Sequence, residues 1–354
     1  MTALHGALVA RIARTGPISV ADYMTECLLH PTHGYYTTRD PLGAEGDFTT
    51  APEISQMFGE MIGLWLAQVW MDQGAPGEFA LVELGPGRGT LMADALRATA
   101  RVPGFHAGLR LHLVEASPAL RARQEAALQG HEVTFHDHPA SLPDLPTYLI
   151  ANEFFDALPI RQFQRAKIGW HERMIGVVDG QLAWGLAPEA PMEALADRVA
   201  DTQEGQIVEW NASAQALAAE FGDRIEALGG AALILDYGDE VSIGDTLQAV
   251  RGHAPVDALA SPGATDLTAH VAFGPLASAS RARASRLTPQ GVFLERLGIT
   301  ARAEALAAKL QGAALDSHIA AHRRLTHPSE MGTLFKVLAL TPTHCPAPPG
   351  LEPA

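Results

Sequence analysis

Cysteine is nearly missing from this chain. Cys27 and Cys345 are the two present in 354 residues. Two thiols cannot build a disulfide framework or a four-cysteine zinc site, so a reducing compartment is expected. Lysine is almost as rare: Lys167, Lys309 and Lys336 stand alone among 25 basic residues, set against 40 acidic ones. The net charge is −15. Binding phosphate backbones or anionic lipid needs clustered cations, so neither nucleic acid nor a membrane surface is expected as the main partner. A cationic partner is compatible with this charge. Long apolar runs are missing too. The most apolar stretch, Met61 to Met71, falls short of the roughly 18 residues of a membrane span, so no membrane insertion is expected. What remains is 47% hydrophobic and 18% charged. That composition supports a large core and excludes disorder throughout. The length fits two domains or one enlarged α/β domain.

The first 21 residues carry Arg11 and Arg14 and no acid, a feature shared with transit peptides. Leu4, Leu8 and Ile12 share one helical face, however, and the chain runs into Gly16-Pro17-Ile18-Ser19-Val20 without a spacer. This is the pattern of a first domain helix with no targeting signal. Ser19, three residues before Asp22, is placed to cap a second helix. From His30 to Pro52 glycine and proline break the pattern, and a loop of that length inside a compact domain tends to be functional. Helix resumes from Glu53 to Asp72, with Phe58, Met61, Ile62, Trp65 and Val69 in one stripe.

Strands and helices then alternate. Phe79–Leu84, Leu109–Val114, Val133–Phe135 and Tyr148–Ala151 read as strands, and Leu91–Ala100 and Ser117–Gln129 as helices. Such alternation implies a parallel, doubly wound sheet. Residues 160–186 alternate instead with period two around Asp179-Gly180, a hairpin turn, and form a β-rich insertion. Residues 191–228 are mostly helical, and Ala231–Leu235, Thr246–Val250 and Thr333–Leu340 are further strands. The end after Thr341 holds five prolines and is expected to be disordered. The predicted division is a helical lid region at 1–75, a main domain at 76–341 with insertions at about 160–186 and 255–330, and a tail at 342–354.

The strongest local signal is Glu83-Leu84-Gly85-Pro86-Gly87-Arg88-Gly89-Thr90. Glycines between a strand and a helix let a ligand approach the backbone at the carboxyl edge of a parallel sheet. A dinucleotide fingerprint, G-x-G-x-x-G, would need glycine where Thr90 stands, and no Lys-Ser/Thr follows as in a P-loop. The acid-x-Gly-x-Gly-x-Gly form resembles motif I of the Rossmann-like S-adenosylmethionine-dependent methyltransferases. That cofactor has no pyrophosphate but carries a cationic α-amino group and a sulfonium, which suits Glu83. Glu115, ending the second strand 26 residues after Gly89, can accept both ribose hydroxyls. The fourth strand leads into Asn152-Glu153-Phe154-Phe155-Asp156. Glu153 and Asp156 could clamp a planar guanidinium. Equally, Asp156 could cap the following turn while Glu153 is solvated. Tyr237 could face the active edge or serve packing.

Longer blocks carry a wider resemblance. Gly34-Tyr35-Tyr36, Gly46-Asp47-Phe48-Thr49-Thr50-Ala51-Pro52-Glu53-Ile54-Ser55 and Phe58-Gly59-Glu60 resemble the N-terminal signature of the MidA-like methyltransferases. Glu83 to Leu91 is similar to their motif I, and Asn152 to Pro159 to their fourth-strand motif. Leu235-Asp236-Tyr237-Gly238, Asp266-Leu267-Thr268-Ala269-His270-Val271 and Met331-Gly332 with Leu334-Phe335-Lys336 resemble their later blocks. The likeness runs from about residue 4 to 340.

It implies an α/β fold: a Rossmann-like methyltransferase sheet with a helical N-terminal region and a β-rich insertion. It implies the cofactor S-adenosyl-L-methionine, held by Glu83, Gly85, Pro86, Gly87, Gly89, Glu115 and Asn152. Glu153 and Asp156 would be catalytic, with Tyr36, Asp47, Thr50, Tyr237 and His270 at the substrate or lid. Mitochondrial members of the family are complex I assembly factors that dimethylate an arginine of a core subunit. The implied function is therefore protein-arginine methylation of a complex I subunit, in the cytoplasm of a bacterium or the mitochondrial matrix of a eukaryote. Two other readings keep the cofactor: methylation of a small molecule, and a non-catalytic assembly chaperone. One departure stands out, since the family's His-Val-Asp-Phe is His270-Val271-Ala272-Phe273 here.

Other constellations are weaker. His30, His33, His131, His136 and His138 have tolerable metal spacings but no cysteine beside them, and no metal is expected. No G-x-S-x-G nucleophile elbow occurs. Arg281, Arg283 and Arg286 look like a solvated face.

Overall fold

The computed structural model describes residues 2–38, 50–252 and 254–354. The chain opens with helix Ala3–Thr15, which buries Leu4, Leu8 and Ile12. Strand β1 (Ile18–Ser19) follows, and Ser19 and Asp22 form a reciprocal capping box that starts helix Val20–Leu29. The expected helix from Glu53 is split: Ala51–Ile54 ends at Ser55, which is extended and caps a new helix, Gln56–Asp72.

Four short stretches bounded by glycine or polar turns then form parallel strands: β2 (Phe79–Leu84), β3 (Leu109–Val114), β4 (Val133–His136) and β5 (Thr147–Asn152). The predicted insertion is present as β6 (Arg161–Arg165), β7 (Trp170–Val178) and β8 (Gln181–Leu186). The turn joining β7 and β8 has positive φ at both Asp179 and Gly180, as a type I′ hairpin requires. Within the span expected to be helical, residues 207–210 form strand β9 (Ile207–Trp210). Four residues are too few to show a period, and pairing with β6 decides their state. β1, β6, β7, β8 and β9 make one antiparallel sheet.

After helix Ala212–Leu228 comes β10 (Gly230–Asp239), parallel to β5. A three-stranded sheet holds β11 (Gln248–Arg251), β12 (Ala254–Val256) and β13 (Asp266–Thr268). β14 (Val271–Ala272) pairs with β10, while β15 (Arg283–Ala284) and β16 (Thr288–Pro289) pair with β17 (Phe335–Thr341), itself antiparallel to β10.

The central sheet thus has the order β15-β17-β10-β5-β2-β3-β4. From β2 the chain winds outward through β3 and β4, then returns to the other side of β2 for β5. That reversal leaves a crevice at the carboxyl ends of β2 and β5, where open α/β sheets bind ligands. Register levels the edge: Leu84 lies opposite Val114 and Ala151, and Asn152 opposite Leu235. Gly85, Glu115, Glu153 and Asp236 therefore emerge together.

Strand alternation divides the core. Phe79, Leu81, Leu111 and Ile150 pack with Phe58, Trp65 and Phe293 on one face of the sheet. Ala80, Val82, Leu149 and Ala151 pack with Phe221, Ile225 and Phe273 on the other. Glu83 continues the first series, so its carboxylate is driven into a buried position.

The end of the chain corrects the expectation of disorder. Leu351 is buried in the first of these cores. Trp65 donates from Nε1 to the Pro349 carbonyl at 2.9 Å, the Arg286 N–H donates to the Glu352 carbonyl at 2.8 Å, and Pro353 bridges to Ser285. Pro342 and Pro348 are buried as well, and prolines lack N–H groups to leave unsatisfied, so an irregular proline-rich segment can lie against a core on a few apolar anchors and carbonyls.

Candidate active site

Gly85, Gly87 and Gly89 have φ of +59°, +56° and +82°, the left-handed region that costs other residues about 1–2 kcal/mol each. They turn the chain from β2 into helix Thr90–Thr99, with Gly89 as its N-cap. At Gly85 a Cβ would stand 2.8 Å from Cδ2 of Phe154, so space is closed there as well. Gln124 donates from Nε2 to the Gly87 carbonyl (2.7 Å) and to Glu115 Oε2 (3.2 Å). The Ser117 N–H donates to Glu115 Oε1 at 2.7 Å. Glu115 is thus oriented beside the glycine loop by groups that leave it lone pairs.

A cavity of about 620 Å³ opens over this edge. Glu83, Gly85, Pro86, Gly87, Glu115 and Asn152 line one part of it. Glu83 is 3% exposed, and its Oε2 has no hydrogen-bond partner. Burial pushes its carboxyl up to about 8. Asn152 Oδ1 is likewise buried and unpartnered. Two orphaned acceptors in one cavity are costly unless a donor arrives. The cationic α-amino group of S-adenosylmethionine is such a donor, and the open glycine backbone leaves room for it. The residues present fit this cofactor.

The other part is lined by Glu153, Asp156, Tyr36, Thr50 and Tyr237. Glu153 has φ of +50°. A non-glycine residue in that region persists only where its surroundings impose it, and such sites cluster at active centres. Its N–H donates to the Leu235 carbonyl at 2.9 Å. Its Oε1 accepts from the Ala51 N–H (2.8 Å) and from Asn152 Nδ2 (3.1 Å). Burial, with the nearby Asp156 charge, pushes Glu153 up to about 7, against the pull of the Ala51 N–H. Burial pushes Asp156 up to about 6, while a hydrogen bond from the Tyr237 phenol opposes it. Beneath them Asp236 is fully buried, and burial plus the two neighbouring carboxylates hold its pKa well above the usual range. Tyr36 donates to Asp266 at 3.0 Å, bringing the N-terminal region to the same wall.

Two expected site residues stand back from the cavity. Gly89 caps its helix, and a Cβ there would lie 3.4 Å from the Gln124 Cα, so it serves close packing. His270 packs edge-on against Tyr237, with ring centroids 5.2 Å apart, and its N–H donates to Thr246. It supports that tyrosine from behind, and burial lowers its pKa. Asp47 lies outside the described residues. Ala272, where the family's aspartate is missing, pairs with Asp239 in the ladder. Tyr237 both faces the cavity and packs against Phe335. Among the described residues no group of three or more His, Cys, Asp or Glu is placed to hold a metal.

Some contributors were not singled out by the sequence. Thr90 donates to Glu53 at 2.5 Å, joining the start of the motif helix to the segment after residue 50. Gln124 gives no signal, being one polar residue inside a helix. Asp266 lies in a motif block, and Asp236 follows a buried strand on the expected active edge, but both gain their roles through contacts across the chain.

Comparison with known proteins follows the same lines. Residues 61–292 match a family described as "Putative S-adenosyl-L-methionine-dependent methyltransferase". Zebrafish (Danio rerio) and human (Homo sapiens) proteins named protein arginine methyltransferase NDUFAF7, mitochondrial, are each 36% identical over 95% of this chain, which spans 86% and 82% of their lengths. A crystal structure of a Burkholderia thailandensis protein bound to S-adenosyl-homocysteine is 29% identical, with a TM-score of 0.82 over 98% of this chain and 94% of that one. With the family model spanning most of the chain and relatives matched nearly end to end, the protein belongs to this S-adenosylmethionine-dependent methyltransferase family.

Proposed function

We propose that the protein transfers a methyl group to a guanidinium nitrogen of arginine in a protein substrate. The acid end of the cavity carries this reading: Glu153, Asp156 and Asp266 line one wall and Asp236 lies buried against it. Negative charge on these carboxylates favours a cationic acceptor over a neutral one. A guanidinium answers it with positive charge and five N–H donors in one plane. Relatives named protein arginine methyltransferases, at 36% identity, support the same acceptor.

When bound, S-adenosylmethionine supplies an electrophilic methyl on a sulfonium. A guanidinium holds its proton to a pH of roughly 12, so its lone pair must be freed. Glu153 and Asp156, three residues apart in one turn, localise the positive charge and orient one nitrogen. Their raised proton affinities, about 7 and about 6, suit them to accept the proton that the nitrogen gives up. Alignment and fixed charge do the rest.

On the motif resemblance, we assign a core subunit of respiratory complex I as the acceptor, and with it a part in complex I assembly. Free Cys27 and Cys345 agree with a reducing compartment, the cytoplasm of a bacterium or the matrix of a mitochondrion. Among the described residues no helix is long and apolar enough to cross a membrane. The test is incubation of the protein with methyl-labelled S-adenosylmethionine and a lysate from cells lacking its gene, followed by mass spectrometry. The expected result is label on arginine of one protein. Label confined to small molecules would favour a metabolite acceptor, and no label at all would favour a chaperone.

A further inference from the structure

A second groove, of about 470 Å³, continues from the reaction cavity. The two share Thr25, Pro159 and Ser213, so their rims are contiguous. One wall is helix Val20–Leu29, and the other is the first turn of helix Ala212–Leu228. The cavity of about 620 Å³ is already of the size that encloses a cofactor with one acceptor side chain. The extra volume has no use for a metabolite, but a polypeptide must run on past the residue it presents. Its charge leans acidic by one: counting the Glu172 that holds Arg161, three carboxylates meet two guanidinium groups. Asp22 and Glu26, successive acids on one helix face, share the single Arg11 at 3.0 and 2.9 Å. Arg161 beside them is held by both oxygens of Glu172, at 2.7 and 2.6 Å. Asp22 stays 47% exposed in its side chain. Trp210 adds an aromatic surface to the lining.

We propose that this groove binds an extended, basic polypeptide segment flanking the methylated arginine. The proposal rests on the arginine reading of the adjoining cavity. The backbone of the segment would leave the mouth between Thr25 and Ser213 and lie along the Asp22–Glu26 face, where a flanking lysine or arginine meets the excess carboxylate. An extended segment fills such a groove along its length, so the acceptor arginine would sit in an unfolded stretch or tail.

Binding to the full-length protein saturated with S-adenosyl-homocysteine tests this without requiring turnover. The probes are an eleven-residue glycine-based peptide with a central arginine and lysines near both ends, the same peptide with aspartates for lysines, and N-acetylarginine methylamide. The lysine peptide should bind at least about tenfold more tightly than either other probe, a margin of roughly 1.4 kcal/mol. Ala212→Trp, an exposed position that lines only the groove, should abolish that margin while leaving S-adenosyl-homocysteine affinity unchanged. Equal binding of the three probes, or an Ala212→Trp protein that keeps both cofactor-product affinity and the margin, would overturn the groove. If the margin and its loss are both seen but labelled S-adenosylmethionine marks no arginine in any lysate protein, the groove stands and the arginine reading falls.

Discussion

Asp236, in the second half of β10, accepts the backbone N–H of Asp156 at 3.1 Å and that of Phe155 at 3.0 Å. Its other oxygen accepts the N–H of Tyr237 at 2.9 Å. One buried side chain thus fixes the turn that aims Glu153 and Asp156. Asp236→Asn keeps the shape but must turn an NH₂ group toward one of these N–H donors. The expected loss is about 1–3 kcal/mol of stability, with turnover falling by roughly tenfold or more. Cofactor affinity should hold. Denaturant melts, calorimetry and labelled-methyl assays on one preparation check all three, and unchanged turnover would remove the turn from the mechanism.

Glu83 links proton uptake to folding and to the cofactor. Its carboxyl is raised from 4.5 to about 8 by burial. The folded protein therefore binds more protons than the unfolded chain between those values, and stability falls as pH rises through that window. Below it the contribution is fully present. Glu83→Gln, which cannot ionise, should lose less stability than wild type between pH 5 and 9, by an amount on the order of a few kcal/mol. Cofactor binding at pH 7 should release nearly a full proton from wild type and none from the variant. Calorimetry in buffers of different ionisation enthalpy reads this directly. Equal proton release by both proteins would place the ammonium elsewhere.

Gly85→Ala meets two obstacles, a φ of +59° and the Phe154 ring at 2.8 Å. About 1–2 kcal/mol of backbone strain is expected, and displacement of Phe154 should weaken cofactor binding. A thermal melt with and without S-adenosyl-homocysteine checks both. A variant as stable and as tightly bound as wild type would mean that this loop is not under constraint.

Deleting residues 342–354 should destabilise the whole molecule. Leu351 fills the core beside Phe293, and the Pro349 carbonyl satisfies Trp65 Nε1. Loss of one buried leucine-sized side chain alone costs about 2–5 kcal/mol. A truncated protein that melts with wild type would contradict the packing described for this end.

The sheet was legible because its strands announce themselves. Phe79–Leu84 is apolar but for Glu83, Leu109–Val114 sets Arg110 and His112 between leucines, each is closed by glycine or an acid within two residues, and both strands have those bounds. The cavity residues from Glu83 to Gly87 were equally readable, since left-handed glycines before a helix leave a pattern. What pairing or packing decides was hidden. β9 has four residues and no period of its own. The final segment carries five prolines, and the burial of Leu351 in the core is invisible in a linear chain. His270 sits in a shared motif, yet its ring supports Tyr237 from outside the cavity. Gln124 and Glu53 reach neighbours 37 residues away in the chain, Gly87 and Thr90, and a linear chain does not show such pairings.

Glu153→Gln bears most directly on the central claim, that the cavity carboxylates grip and deprotonate an arginine. The amide keeps the shape and can still accept from Ala51, but it carries no charge and takes no proton. Methyl label reaching arginine in the gene-deleted lysate should be followed by mass spectrometry for wild type and variant side by side. The account predicts label on arginine with wild type, a loss of about two powers of ten with Glu153→Gln, roughly 2.7 kcal/mol in the barrier, and unchanged S-adenosyl-homocysteine affinity. Arginine labelling by Glu153→Gln at the wild-type rate, or wild-type label on a residue other than arginine, would contradict it.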